Sequence, residues 1–179
     1  MRLWDKATRA STAVHARDSE VLALAALGGG GVAAGCADGS IALWSAVGVR
    51  TTTLGGGAGF GGVWSLALLS DGRLTSGHYA PHVIRVWDVK RRALDVVISG
   101  HTHVVHALAA LPDGRLLSGS EDRTLKVWDE RMLSVRGGAA ADTCAATLVG
   151  HTGFVFALAV LPDRRVVSGS YDGTVRVWR

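Results

Sequence analysis

Three imidazoles crowd into one short segment, His101-Thr102-His103-Val104-Val105-His106. Histidines that close together could ligate a zinc ion. A second segment, Gly57-Ala58-Gly59-Phe60-Gly61-Gly62, has the letters of a dinucleotide-binding turn, in which glycines let the backbone approach a pyrophosphate. The context of each argues against the chemistry. Residues 150–156 repeat the histidine segment as GHTGFVF, with His151 in the place of His101 but Gly153 and Phe156 in the places of His103 and His106. Two of the three histidines are therefore outside the repeated design, and no metal is expected. A dinucleotide turn needs a strand before it and a helix after it. Here VWSLALL follows, an apolar run of strand character, so a loop between folded units fits better. Gly28–Gly31 reads as a permissive hairpin turn for the same reason. No nucleophile elbow, P-loop or paired carboxylates are present. His and Asp recur at equivalent places, whereas an active site usually occurs once. The chain is not expected to be an enzyme, and no cofactor is implied.

Recurrence itself is the stronger signal. Trp4, Trp44, Trp87, Trp128 and Trp178 follow one another at steps of 40, 43, 41 and 50 residues. A period of about 40–45 residues is the length of one four-stranded propeller blade. The last step is long because Arg131–Asp142 carries extra Gly and Ala and reads as a loop insertion. Residues 100–129 and 150–179 align without a gap; residues 21–44 align without a gap, and residues 66–88 with one inserted residue. The repeats run over approximately 6–45, 46–88, 89–129 and 130–179, with 1–5 as the tail of a preceding repeat. Within a copy, VVHALAAL is a first strand, PDGR a turn, LLSGS a second strand, EDRT a turn and TLKVWD a third strand. ALDVVIS and TCAATLV read as fourth strands. The fold class is all-β. Continuous apolar runs in the first two strands argue for burial on both faces.

Composition narrows the class further. Of 179 residues, 48% are hydrophobic and 19% charged, which is too apolar for a disordered chain. Gly, Ser, Asp or Arg breaks every apolar run well short of the roughly 18 residues that a membrane helix needs. Lys and Arg number 19 against 15 Asp and Glu, spread as 8 against 6 in residues 1–90 and 11 against 9 thereafter. Positive charge is not pooled, so nucleic acid is not the expected partner. The small basic clusters Lys90-Arg91-Arg92 and Arg164-Arg165 are what such a mode, or a phospholipid mode, would have to use. Cys36 and Cys144 have no metal or disulfide spacing and read as buried, reduced thiols. The N-terminus lacks the apolar core of a secretory signal. An intracellular location, cytoplasmic or nuclear, is expected, with no membrane partner.

The chain resembles the WD-repeat family. The resemblance rests on Gly100-His101 and Gly150-His151, on Trp4-Asp5, Trp87-Asp88 and Trp128-Asp129, and on the two ungapped thirty-residue copies that carry them. It implies a WD-repeat β-propeller, with four blades visible here. It also implies a buried polar relay in each complete blade: His101, Ser118, Asp122 and Trp128 in the third copy, His151, Ser168, Asp172 and Trp178 in the fourth. The first copy has Trp44, Asp38 and His15 at a shifted place, but Ala34 where the hydroxyl belongs. The second has Ser76 and Trp87 but GFGG in place of the histidine and Pro81-His82 in place of the Asp turn, so these two blades are expected to lack the full relay.

The family usually closes about seven blades, within a general range of about 4–8, so an incomplete propeller is expected, and self-association could complete the ring. Nothing after Arg179 could add a fourth strand to the last blade, and Lys6–Ala13 is the segment that could supply one. The resemblance further implies a non-catalytic scaffold whose blade-end loops meet other proteins or peptides. Positions that vary between copies mark the candidate surface: Trp64 in the second copy, Val104, His106 and Glu121 in the third, and Phe154, Phe156 and Tyr171 in the fourth. The alternative role is recruitment of substrates within a larger assembly such as a ubiquitin ligase or a kinase.

Overall fold

The computed structural model describes residues 2–4, 11–13, 19–56, 59–129, 138–140 and 144–179. Short runs of β-branched and apolar residues between Gly, Asp and Pro turns fold as strands, in accord with their preference for a pleated, half-buried surface. The strands are β1 (Arg2–Trp4), β2 (Ser11–Ala13), β3 (Val21–Ala26), β4 (Val32–Cys36), β5 (Ser40–Trp44), β6 (Arg50–Gly55), β7 (Val63–Leu68), β8 (Leu74–His78) and β9 (Ile84–Asp88). They continue as β10 (Ala93–Ile98), β11 (Val105–Ala110), β12 (Leu116–Ser120), β13 (Leu125–Trp128), β14 (Gly138–Ala140), β15 (Cys144–Leu148), β16 (Val155–Val160), β17 (Val166–Ser170) and β18 (Val175–Trp178). The only helical turn among the described residues is a 3-10 turn at Gly28–Gly30. No helix of the described residues is long and apolar enough to cross a membrane.

Four sheets are arranged as a four-bladed β-propeller. Blade 1 is β3-β4-β5-β6, blade 2 is β7-β8-β9-β10, blade 3 is β11-β12-β13-β15 and blade 4 is β16-β17-β18. Within each blade all strands are antiparallel. Each outer strand is drawn from residues that follow the Trp of its blade, so sheets and repeats are offset by one strand. The innermost strands β3, β7, β11 and β16 lie side by side in that order.

Two segments differ from expectation. Residues 138–140, inside the insertion, are not loop. They form β14, which pairs in parallel with β10 at the outer edge of blade 2. Ser11–Ala13 does not extend blade 4. It pairs with β1, Arg2 opposite Ala13 and Trp4 opposite Ser11. A hairpin closes a short loop, whereas reaching β18 would bridge most of the chain, and the shorter closure costs less entropy. Residues 5–10 lie outside the described ones. Among the described residues, blade 4 has three strands.

The turns explain the shared register. In the Asp113-Gly114-Arg115 turn, Asp113 Oδ1 accepts the Arg115 backbone N–H at 3.2 Å and Oδ2 accepts the guanidinium at 2.7 Å. Asp71–Arg73 and Asp163–Arg165 repeat the clamp. Exposed pairs of this kind contribute about 0–1 kcal/mol, so they set geometry more than stability.

Blades are held together by knobs in holes. Val63, Val105 and Val155, each at the start of an innermost strand, are fully buried. Each sits over a glycine of the preceding blade: Gly35, Gly77 and Gly119. A Cβ on Gly119 would lie 2.7 Å from Val155 Cγ1, a distance that only glycine accommodates. Around these contacts lie the inter-blade cores. Ile41, Leu43 and Leu54 meet Leu74 and Trp87. Ile84, Val86 and Ile98 meet Leu116 and Trp128. Leu117, Leu125 and Val127 meet Val166 and Trp178. Thus Trp87, Trp128 and Trp178 each face the blade before their own. A Gly119→Ala substitution is expected to push blades 3 and 4 apart and to cost on the order of 2 kcal/mol, as overpacking does. Urea denaturation of the two proteins side by side measures it.

Cys36 is buried, and burial raises its thiol pKa; Cys144 is only half-buried. No disulfide joins them.

Candidate functional site

The two complete copies bring their four relay residues together. In blade 3, His101 Nδ1 lies 2.6 Å from Asp122 Oδ2, and Nε2 lies 2.6 Å from Ser118 Oγ. Trp128 Nε1–H donates to Ser118 Oγ at 2.8 Å. The carboxylate can only accept, so Nδ1 carries the proton and Nε2 receives the serine hydroxyl. Every polar atom of the chain from indole to carboxylate is thereby matched. Blade 4 repeats it: His151 to Asp172 at 2.8 Å, His151 to Ser168 at 2.8 Å, and Trp178 to Ser168 at 2.8 Å. Gly100 belongs to the arrangement because its φ is +148° and the edge of the Trp128 indole lies against it, 2.9 Å from where a Cβ would stand.

The aspartates also build the second turn of each blade. Asp122 Oδ1 accepts the Thr124 N–H at 3.0 Å and its hydroxyl at 2.6 Å, while Oδ2 accepts the Thr102 N–H at 3.2 Å. Burial opposes the Asp122 anion, but the hydrogen bond from His101, with those of Thr124, holds its carboxyl well below the usual range. Asp172 is held equally low, first by the Thr174 hydroxyl against some desolvation, then by the Thr152 N–H and His151.

Blade 2 lacks the four-residue relay, as expected, having no Asp member, but it builds a shorter chain of its own. His78, on β8, takes the place of the missing histidine. Its Nε2 lies 2.8 Å from Ser76 Oγ, which accepts Trp87 Nε1–H at 2.8 Å. Its Nδ1 lies 2.8 Å from the Phe60 carbonyl and 3.0 Å from that of Gly61. Two carbonyls can only accept, so Nδ1 is again the protonated nitrogen. Burial lowers the His78 pKa to about 4, and the nearby Arg85 charge adds to the shift, against the two carbonyl bonds. Arg85 itself lies over the Phe60 ring, 4.5 Å from its centroid. Blade 1 has no such chain through position 34. Ala34, Cys36, Ala42 and Trp44 form a small apolar cluster there, and Asp38 builds the turn, accepting from the N–H and hydroxyl of Ser40. His15 lies outside the described residues.

The candidate surface residues fall on one end of the propeller. A β-bulge interrupts the register of every first strand, between Val63 and Ser65, Val105 and Ala107, and Val155 and Ala157. The skipped residues are Trp64, His106 and Phe156. A bulge re-aims a side chain, and these three are turned into one row. Trp64 meets His106 edge-on at 5.2 Å, and His106 meets Phe156 at 4.6 Å. Phe154 and Tyr171 extend the row, each 6.1 Å from Phe156. Glu121 Oε1 lies 2.8 Å from His106 Nε2. Beside the row a groove of about 460 Å³ is lined by Thr102, His103, Glu121, Phe154 and Tyr171. Val104 is a correction: its side chain is buried and offers no contact surface. Only its carbonyl takes part, accepting the Glu121 N–H at 3.0 Å.

The same backbone bond joins Tyr171 N–H to Phe154 O and Tyr79 N–H to Gly62 O. Tyr79 is therefore the blade 2 equivalent of Glu121 and Tyr171, and it is exposed. It escaped notice because the residue inserted near Pro81-His82 disturbs the alignment there. The signal was SGHY beside SGSE and SGSY. His103 stacks on His82 at 6.0 Å and takes no part in the relay. Among the described residues no group of His, Cys, Asp or Glu could hold a metal ion. Lys90-Arg91-Arg92 lies on blade 2 and Arg164-Arg165 on blade 4, with blade 3 between them, and Arg165 is paired to Asp163 at 2.7 Å.

Fold and relay together define a β-propeller whose blades are pinned by buried His–Ser–Trp chains. Residues 93–129 and 142–179 match the family described as WD domain, G-beta repeat, which bears out the resemblance to the WD-repeat family read from the sequence. It is 36% identical over 69 residues to a guanine nucleotide-binding protein subunit beta from Lymnaea stagnalis, a match covering 38% of this chain and 20% of that protein. The chain thus spans about a fifth of the length of that curated relative. The crystal structure of the computationally designed Ika4 protein is similar at TM-score 0.73 and 30% identity, covering 93% of this chain and 94% of that one. The designed Ika8 protein is similar at TM-score 0.72 and 31% identity, covering 92% of this chain and 47% of that one.

Proposed function

We propose that this chain is a non-catalytic scaffold that docks a protein or peptide partner across the ends of blades 2, 3 and 4. The observation that carries the reading is the row Trp64–His106–Phe156 with Phe154 and Tyr171. Trp64 is 38% exposed, Phe156 43% and Tyr171 79%. Large aromatic side chains held in water-facing positions by a rigid sheet are typical interface anchors. Thr102, His103 and Glu121 supply a polar rim beside them, as interfaces commonly have. The relative from Lymnaea stagnalis is by name a subunit, a protein that works within an assembly, which supports the same reading. The buried relays take no part in contact. They fix the blades so that the row is preformed and little ordering is required on binding.

The test is affinity capture with the wild-type chain and with Trp64→Ala, Phe156→Ala and Tyr171→Ala combined. Loss of anchors at about 1 kcal/mol or more each predicts well over a tenfold drop in captured partner. The three side chains are partly exposed, so circular dichroism should be unchanged. Undiminished capture would show that the row is not the docking surface.

A further inference from the structure

The turn that closes the first hairpin of a blade carries charged side chains in blades 2, 3 and 4 but not in blade 1. The N–H of Leu27 bonds the Gly31 carbonyl at 2.8 Å, as Leu69 bonds Arg73, Leu111 Arg115 and Leu161 Arg165. Gly29 and Gly31 therefore stand where the other blades carry the Asp and Arg of the clamp. The neighbouring strand changes with them. Trp87 and Trp128 are followed by Asp88 and Asp129, and the Asp129 charge acts on Arg115, whereas Trp44 is followed by Ser45. Blade 1 thus lacks both the cation and the anion at one place. In blade 2 the Arg73 side chain lies mostly covered there, at 15% exposure.

Space takes their place. A cavity of about 640 Å³ opens between blades 1 and 2. The aromatic row stands at the starts of the first strands, and this cavity lies at their far ends. Leu27 and Trp44 line it from blade 1, and Leu68, Leu69 and Val89 line it from blade 2. A Cβ at Gly28 or Gly29 would meet nothing within 4 Å. Among the described residues that line the cavity, Lys90 alone is charged, and it is exposed. Small-molecule sites are commonly of this size, apolar, with a few polar groups that orient the ligand. One cation beside an apolar hollow complements a molecule with an apolar body and one negative end.

We propose that the cavity between blades 1 and 2 binds a small apolar carboxylate, its hydrocarbon body against Leu27, Trp44 and Leu69 and its charged end toward Lys90. Apolar area removed from water supplies most of the affinity, and the exposed ion pair selects the anion. The site is separate from the aromatic row, so neither reading depends on the other.

The experiment is calorimetric titration of the purified chain with decanoate, and with 1-decanol as its neutral match. Decanoate is expected to bind once per chain and about fivefold more tightly than the alcohol, the difference that an exposed ion pair can supply. Lys90→Met keeps the stem and removes the charge, so it should erase that difference and leave the alcohol unaffected. Ala46→Trp and, separately, Gly28→Leu place bulk at exposed positions of the lining and should weaken both ligands by about tenfold or more. Circular dichroism of all three variants should match the wild type. Absence of decanoate binding up to about 1 mM overturns the proposal. So does binding that neither filling variant weakens, which would place the ligand elsewhere. A decanoate affinity that Lys90→Met leaves unchanged overturns the assignment of a carboxylate.

Discussion

Ser118→Ala is expected to destabilise the protein far more than the loss of an exposed hydroxyl. Ser118 is wholly buried, and its oxygen serves two partners at once, the Trp128 N–H and His101 Nε2. The substitution fills no space and removes no large contact, yet it leaves an indole donor and an imidazole nitrogen in an apolar setting without partners. Each such orphan costs about 1–3 kcal/mol, because neither can recover the water it gave up. The cost should appear as a lower urea midpoint with an unchanged slope, since the surface exposed on unfolding stays the same. Trp128→Phe in the Ser118→Ala background sharpens the test. Phe has no N–H to strand, so the double variant should lose less than the sum of the two single ones. Strict additivity would mean that the 2.8 Å bond contributes nothing. Ser168→Ala in blade 4 should show the same sign.

Such reasoning was open to the sequence wherever the hairpin geometry is uniform. From His101 to Ser118 is 17 residues and from His151 to Ser168 is 17. Equal strands and equal turns put the same atoms in the same place, so two ungapped copies suffice to name the participants. Blade 2 shows where that logic stops. Column by column, its histidine is missing. In space, Ser76 and His78 are two residues apart on one strand and so share a face of the sheet. A side chain long enough to cross that face delivers its nitrogen to the serine from the other side. What the relay requires is an acceptor near Ser76 Oγ, and an alignment records only the usual route by which it arrives. The bulges were illegible for a related reason. One extra residue in a first strand leaves no mark in composition, yet it decides that Trp64, His106 and Phe156 form a row. Val104 misled because it neighbours that row in sequence while its side chain is buried. Gly138–Ala140 carries no strand signal of its own. Its pairing depends on the exposed edge that β10 presents, a feature of tertiary structure.

The substitute histidine gives blade 2 a sensitivity to acid that its neighbours do not share in the same form. His78 is neutral in the folded chain because both ring nitrogens are committed, Nδ1–H to the carbonyls of Phe60 and Gly61 and Nε2 to the Ser76 hydroxyl. A second proton would place two donors on Ser76 Oγ, beside the Arg85 charge and away from water. The folded pKa is therefore lowered to about 4 from the ordinary 6.5. Between those values the unfolded chain binds a proton that the folded chain refuses, so stability falls as pH drops through this window. It is fully present above the unfolded value and is lost by the time pH reaches the folded one. At about 1.4 kcal/mol for each pH unit, the loss approaches about 3 kcal/mol. Asp122 and Asp172 act with the opposite chemistry and lower down, since their depressed pKa values contribute stability that persists until pH falls below the ordinary carboxylate range. A His78→Gln variant separates the effects. Gln can offer an N–H to the same carbonyls and an oxygen to Ser76, but it does not titrate. Thermal melts from pH 7 to pH 4 should show a fall for the wild type that the variant lacks in large part. Parallel curves for the two proteins would mean that His78 carries its second proton inside the fold without penalty, and that the bonds to Phe60 and Gly61 do not set its charge.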